Sequence, residues 1–450
     1  MKKIPLLQRS VSMYIVTVIV FIGFLGVVIF GASVRHVMLG NNRLGSFGEG
    51  LVMISEFPSM VRDVFVEVFG SGRLVQIDTR FKNLDGFKKD GKVPFGAKND
   101  NGYLLLSSYD AEKGQSVVQL IRIVDQISLY EWAPNIEKLA ELDQIDTYYD
   151  HAINRSNFRV LHPLLQDDGG IVFTSPNSPI FKIDACSRVN MSLDGTFHHS
   201  IETDADGNYW VPSVMYPSSF EGVLSHRDDA IAQISPKGEV LFKKSIAEML
   251  YENGYRGLLA AGFKMDPIHL NDIQPAFYNS PYWEKGDLLI SARNISTILL
   301  YRPSTNKIIW LKTGPWMNQH DVNFIEDHKL SVFSNNVISD PEGAVLMGGY
   351  NNVYLYNFQT DEVSTPYNNA MKAMKVKTLT EGRGTILGNG DVFVEEQNNG
   401  RILRMSPDNV QWEYVRRVDD DHIALLNWSR YLTYEQVAPI LSVLQSTKCQ

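Results

Sequence analysis

From about residue 100 onward, apolar and polar residues alternate with a period of two in short runs bounded by Gly, Asn and Asp. That period describes half-buried strands rather than helices. The runs group into a recurring unit. It begins with a short alternating segment and a turn, continues into a strand ending in Ser or a similar small residue, and closes with a second hairpin that often ends near Trp. One copy runs from Asn101 to Ser108, through Gln119 to Asp125, to Ser128 to Trp132. Others are Asp168 to Asp184, His199 to Phe242, Gly286 to Trp310, His320 to Tyr356, and Gly390 to Tyr414. Units of about four short strands repeated about six times predict a β-propeller. Closing such a ring pairs its last strands with its first and removes long open edges.

The exception comes at the start. Met13 to Val34 is uncharged and apolar, long enough as a helix to cross a bilayer, and preceded by Lys2, Lys3 and Arg9. Ala32-Ser33-Val34 makes a poor cleavage site, so an uncleaved anchor is expected, with a cytoplasmic N-terminus. The remainder would then face a periplasm or equivalent lumen. The expected organisation is a basic tail (1–12), a transmembrane signal anchor (13–34), a connecting segment (35–95), an all-β six-bladed propeller (96–420) and a helical tail (421–450). Residues 135–152 read as a helical insertion and Tyr434 to Ser446 as a C-terminal helix. Trp210, Trp310 and Trp412 are expected to pack between blades.

Composition adds exclusions. With 44% hydrophobic and 21% charged residues the chain is globular rather than disordered. A net charge of −9 without basic runs argues against a nucleic-acid partner. Cys186 and Cys449 are the two cysteines, too few for a Cys-based zinc site or a disulfide scaffold. They could pair outside the cytoplasm, although Cys449 is one residue from the end and chain ends are usually loosely held; the sequence leaves the pairing open. Without a Gly-rich loop opening a helix, nucleotide use is not indicated.

Candidate chemistry lies at one position of the unit. His199 is eight residues before Gly207, His162 seven before Gly169, His320 ten before Leu330, and Arg383 seven before Gly390; His269 opens another unit. In a propeller such positions, far apart in sequence, converge near the axis. They would form a cationic, hydrogen-bond-donating cluster at one mouth of the channel. His198, His226, His328, His36 and His151 read as ordinary histidines. No His-x-His or His-x-x-x-His spacing occurs, and Arg293 lies nearby in the pattern, so an anionic substrate is expected rather than a metal.

Several of these segments resemble the bacterial arylsulfotransferase (aryl-sulfate sulfotransferase) family. They are His269 to Ile273 (HLNDI), Gly286 to Ser296 (GDLLISARNIS), Lys307 to Trp310 (KIIW), Gln319 to Phe324 (QHDVNF) and Leu330 to Asn335 (LSVFSN), with His198 to Glu202 (HHSIE) and Gly207 to Val211 (GNYWV). The resemblance implies a six-bladed periplasmic enzyme that needs no PAPS and no other cofactor. It would move a sulfuryl group from a phenolic sulfate ester to a phenol through a sulfohistidine. By motif, His320 would be the nucleophile. His269, Asn271 and Arg293 would surround the sulfuryl group and leaving phenolate, and His199 would complete the catalytic set. His162 and Arg383 are candidate substrate-binding residues. Two departures are visible: Ser200 stands where the family commonly has Asp, and Pro275 to Lys285 is an insertion expected to reshape the channel mouth. Asp321, next to His320, should point to the opposite face and bond a neighbouring blade. The alternative reading is a non-catalytic membrane-anchored propeller that binds a partner or a sulfated ligand. A weaker third, a quinone-cofactor oxidoreductase, lacks the repeated tryptophan-docking units.

Overall fold

The computed structural model describes residues 12–38, 42–48, 50–55, 74–90, 93–94, 96–143, 153–219, 227–260, 266–340 and 343–449. The chain divides into two compact units, Met1–Gly70 and Ser71–Gln450. In the first, Met13–Met38 forms one α-helix. Its Ile, Val and Phe side chains are largely exposed. Among the described residues this is the one helix long and apolar enough to cross a membrane, a property that signal sequences share.

The second unit is an all-β, propeller-like ring of antiparallel sheets. Sheet I contains Tyr103–Asp110, Gln115–Arg122 and Ile127–Trp132, with Arg430–Leu432 on its inner edge. Sheet II runs continuously from Leu161–Leu165 to Val240–Ser245 and has eight strands. Sheet III comprises Leu270–Pro275, Leu288–Ala292, Thr297–Arg302 and Lys307–Thr313. Sheet IV comprises Val322–Ile325, Lys329–Ser334, Asn352–Asn357 and Glu362–Ser364. Sheet V comprises Arg383–Ile386, Val392–Glu396, Arg401–Met405 and Val410–Val415, and gains Gly86–Phe87 at its outer edge.

Six separate blades were expected; the hydrogen bonding gives four separate blades and one continuous eight-stranded sheet. The cause is local. Strand Val189–Phe197 is nine residues long, whereas the next inner strand, Glu202–Thr203, is only two. The edge of Tyr209–Val214 is therefore left open, and Phe197 pairs with Ser213 across what would be a blade boundary.

The core is distributed around the ring. Leu105, Trp132, Phe173 and Phe181 join sheets I and II; Ile231, Ile273 and Leu299 join II and III. Trp283, Leu300 and Val332 join III and IV, and Phe333, Val353 and Leu403 join IV and V. Trp412, Phe393, Leu104 and Leu106 close the circle between V and I. Each interface buries several large side chains at roughly 1.5–3 kcal/mol apiece relative to exposure.

Two boundaries differ from expectation. Within the connecting segment, Val75–Ile77 pairs with His422–Ala424 and Gly86–Phe87 pairs with sheet V, so the ring takes strands from before residue 96. The tail beyond 421 is not purely helical either, because Arg430–Leu432 pairs with Tyr103–Leu105 and closes the ring. Its helix, Tyr434–Ser446, begins with a capping box between Thr433 and Gln436. Val437, Ile440 and Leu444 then pack into the core between sheets I and II, beside Ala185. That packing carries the chain end to Cys186, and a Cys186–Cys449 disulfide forms, which decides the pairing the sequence left open. The expected insertion 135–152 contains the helix Ile136–Leu142; residues 144–152, with His151, lie outside the described residues, as does His226.

Candidate active site

The innermost strands all start from one mouth of the ring. His162 lies in Leu161–Leu165, His199 precedes Glu202–Thr203, His269 precedes Leu270–Pro275, and His320 precedes Val322–Ile325. Arg383 begins its strand, and Trp428 precedes Arg430–Leu432. His162, His199, His269 and Trp428 share a left-handed backbone, with φ of 44°, 59°, 54° and 59°. That region is unusual for a residue as bulky as Trp, and here it turns the chain sharply into each strand.

Acidic side chains clasp each turn to the preceding sheet. Asp229 Oδ2 accepts from the Leu270 N–H at 2.7 Å, and Asp272 Oδ2 accepts from the Val322 N–H at 3.0 Å. Asp321 Oδ2 accepts from the Gly384 N–H at 2.9 Å, the bond between sheets expected for that residue. Glu395 accepts from the N–H groups of Trp428 and Ser429, at 2.8 and 2.7 Å. Ser200 fills the same role with a hydroxyl, its Oγ accepting from the Ile273 N–H at 3.3 Å, which gives its departure from the family pattern a structural reading.

The turns bring distant imidazoles together. Ring centroids of His199 and His269 are 5.0 Å apart, and those of His199 and His320 are 6.3 Å apart. His198, read from sequence as ordinary, belongs to the cluster at 4.9 Å from His199. Trp428, which the sequence reading missed, lies 6.4 Å from both His199 and His320. Arg293 joins from the turn between two strands of sheet III, its backbone N–H donating to the His269 carbonyl at 3.0 Å. Its Nη1 donates to Asn294 Oδ1 at 2.7 Å, and its buried Nε has no partner among the described residues.

Hydrogen bonds determine which ring nitrogens carry lone pairs. Asn335 Nδ2 donates to the carbonyls of Thr378 and Glu381, so its Oδ1 must be the atom 2.6 Å from His320 Nδ1. His320 is thus protonated at Nδ1, and its Nε2 lone pair accepts from the Glu381 N–H at 2.9 Å. His269 Nδ1 faces Asp266 Oδ2 at 2.5 Å, which leaves Nε2 unspent. His199 Nδ1 is 2.7 Å from His198 Nδ1, and its Nε2 has no partner among the described residues.

Electrostatics keep His198, His199 and His320 neutral. Burial and the Arg293 charge hold the His320 imidazole well below the ordinary histidine range. Burial, followed by repulsion from His198, His269 and His320, does the same for His199. His198 is lowered to about 4 by burial and by Arg227, with Asp229 opposing.

His162, Arg383 and Asn271, expected to contact substrate, each bond other groups of the protein, although Asn271 Oδ1 and Arg383 Nε have no partner among the described residues. His162 is fully buried; its Nδ1 accepts from the Ile201 N–H at 3.1 Å, and its Nε2 lies between Arg383 Nη1 at 2.9 Å and Glu202 Oε1 at 3.3 Å. Arg383 also bonds the Ser429 carbonyl and Thr385, and faces Asp321 at 3.6 Å. Asn271 Nδ2 donates to the Gln319 carbonyl at 3.0 Å, next to His320. The insertion 275–285 follows the far end of the strand that His269 begins, so it borders the opposite mouth. Tyr278 there bonds the Glu326 carbonyl. Among the described residues no group of three or more His, Cys, Asp or Glu side chains is arranged to hold a metal ion.

Fold and site together define an all-β, propeller-like protein with an imidazole-rich mouth. The sequence profile of the family described as Arylsulfotransferase (ASST) matches residues 174–417, more than half of the chain. The chain belongs to the arylsulfotransferase family. No curated protein matches it. Among solved structures, a protein of unknown function from Bacteroides caccae is 12% identical over 74% of this chain and 99% of its own, with a TM-score of 0.47. TolB from Acinetobacter baumannii is 13% identical over 74% and 66%, with a TM-score of 0.40. A streptogramin B lyase is 12% identical over 78% and 90%, with a TM-score of 0.37.

Proposed function

We propose that this protein transfers a sulfuryl group from a phenolic sulfate ester to a phenol through a sulfohistidine, with no PAPS and no other cofactor. The observation that carries the reading is the convergence of His199, His269 and His320, three imidazoles from three sheets, beside a guanidinium with an unspent N–H. Counting the continuous sheet as two units gives six around the axis. The helix Met13–Met38 serves as a single-pass inner-membrane anchor, with the ring in the periplasm. A disulfide suits that oxidising compartment.

His320 is the nucleophile. Its Nδ1–H is held by Asn335, so Nε2 carries the lone pair that attacks sulfur. The Glu381 N–H that occupies this lone pair at rest gives way as the donor binds. An N–S bond forms, the S–O bond breaks, and the electron pair leaves on the phenolate oxygen. The Arg293 Nε–H stabilises charge on the sulfonate and phenolate oxygens, a donor of this kind typically contributing a few kcal/mol, and His269, oriented by Asp266, lines the same site. In the second half, the acceptor oxygen attacks sulfur, the N–S electron pair returns to Nε2, and a neighbouring imidazole takes the phenol proton.

The test is intact mass after exposure to a phenyl sulfate, followed by peptide mapping. A sulfuryl adduct on His320 is expected, discharged by added phenol, and His320→Ala should lose both adduct and transfer. Full transfer in that variant would defeat the assignment. Binding without turnover across a donor panel would favour a non-catalytic anchored propeller.

A further inference from the structure

His198 and Asp229 have no part in the reaction as written so far, yet they continue the cluster inward. Asp229 is fully buried; its Oδ1 accepts from Arg227 Nε at 2.7 Å, and its Oδ2 is spent on Leu270. Oδ1 also faces His198 Nε2 at 3.5 Å, and this nitrogen has no hydrogen-bond partner among the described residues. On its other side His198 meets His199, Nδ1 to Nδ1, at 2.7 Å.

Two facing nitrogens at that distance share one proton, and the carboxylate decides where it sits. A buried lone pair aimed at a buried carboxylate is repulsive, so His198 carries its proton on Nε2. Its Nδ1 is then an acceptor. His199 must donate from Nδ1, and the lone pair of His199 is left on Nε2, the nitrogen without a partner. The side chains set around the His199 ring are His198, His269, His320 and Trp428; Asp266, Arg293 and Arg227 act on them from outside. Among the described residues none of these donates a hydrogen bond to His199 Nε2.

We propose that His198 and Asp229 are positioning residues that fix His199 as the base for the acceptor phenol, an inference that rests on the sulfuryl-transfer reading above. As the phenol oxygen attacks the sulfuryl group on His320, its O–H bond breaks and the proton passes to His199 Nε2. The N–S bond breaks, and its electron pair returns to His320 Nε2. The new imidazolium keeps its Nδ1–H on His198, whose Nε2–H faces the Asp229 charge. The donor half-reaction expels a phenolate and needs no such base, so the two halves depend on His198 differently.

The experiment measures the halves separately in wild type, His198→Ala and His198→Gln, the second filling most of the imidazole volume. Loading is followed as phenolate release and adduct mass; discharge is followed with one acceptor phenol neutral at the assay pH and one already ionised. In both variants discharge to the neutral phenol should fall about a hundred-fold, the usual scale of a general base. Discharge to the ionised phenol and loading should fall by far less. Equal slowing for both acceptors, or no slowing for either, overturns the proposal. A wild-type protein that forms no adduct overturns the sulfuryl-transfer reading itself.

Discussion

His162 and His199 occupy equivalent places. Each stands at the mouth end of an innermost strand, each has a left-handed backbone, and each imidazole is held well below the ordinary range, first by burial. Their fates differ because of what surrounds the ring. Donors and a carboxylate engage both nitrogens of His162, which ties Arg383, Glu202 and Ile201 together across the channel. His199 is engaged on one side only. Position in the repeating unit brings a histidine to the mouth; within this pair, the unspent nitrogen of His199 is what separates a candidate base from a ring held in a network. Trp428 stands between the two regions, 5.1 Å from His162 and 6.4 Å from His199.

The largest effect should come from exchanging the two roles. His199→Ala is expected to lower transfer to a neutral phenol about a hundred- to thousand-fold. Its ring is half-buried and bonds a single neighbour, His198, so its loss should cost less stability than the loss of His162. His162→Ala should instead destabilise the fold by about 2–4 kcal/mol, because it leaves buried donors facing a void. Its transfer should fall only as far as the folded fraction does at the assay temperature. Paired melts and rates would decide; a His162→Ala protein that melts like wild type but has lost transfer would erase the distinction.

A smaller effect tests the boundary at Trp428. Burial pushes Glu395 up to about 7, although accepting from the Trp428 and Ser429 N–H groups pulls it down. In an unfolded chain its pKa is about 4.3. Between those values the folded protein holds a proton that the unfolded chain has lost. This contribution to stability is therefore fully present below pH ~4.3 and lost as pH rises through about 7. Glu395→Gln cannot ionise. Its amide nitrogen cannot accept from either N–H, so the variant should fall below wild type near pH 5, and that deficit should shrink by on the order of 3 kcal/mol by pH 8, with transfer changed only a few-fold. Denaturant titrations at the two pH values give the sign, and a deficit that stays the same or grows at pH 8 would contradict it.

Alternation and turn residues made the strands, the ring and the convergence of His199, His269 and His320 legible. They failed where the backbone leaves the strand pattern. Successive side chains of a strand point to opposite faces, so His198 could not be expected beside His199. The left-handed turn at His199 breaks that alternation and brings both rings together; the His-His doublet itself was the available signal. Trp428 escaped notice because its strand, Arg430–Leu432, is three residues long and follows no turn glycine. The continuous sheet was hidden for a related reason, since a two-residue strand leaves almost no period to read. His162 and Arg383, distant in sequence, do meet in the fold, but sequence does not report which donors a folded chain will aim at a ring.

The smallest effect on transfer should come from Cys186→Ser, which probes whether the comparison depends on the ring as a whole. The disulfide closes a separation of 263 residues, and losing such a link costs about 2–4 kcal/mol, largely through the unfolded chain. The helix Tyr434–Ser446 remains docked in the folded protein by Val437, Ile440 and Leu444, which pack between sheets I and II whether or not the link is present. None of those contacts reaches His162 or His199. Stability should drop in chemical denaturation while transfer stays within about two-fold, a rate difference of less than ~0.5 kcal/mol. Wild type under reducing conditions should behave in the same way. A large loss of transfer in the still-folded variant would mean that tension in the outer ring reaches the mouth, and that the two histidines differ by more than their immediate partners.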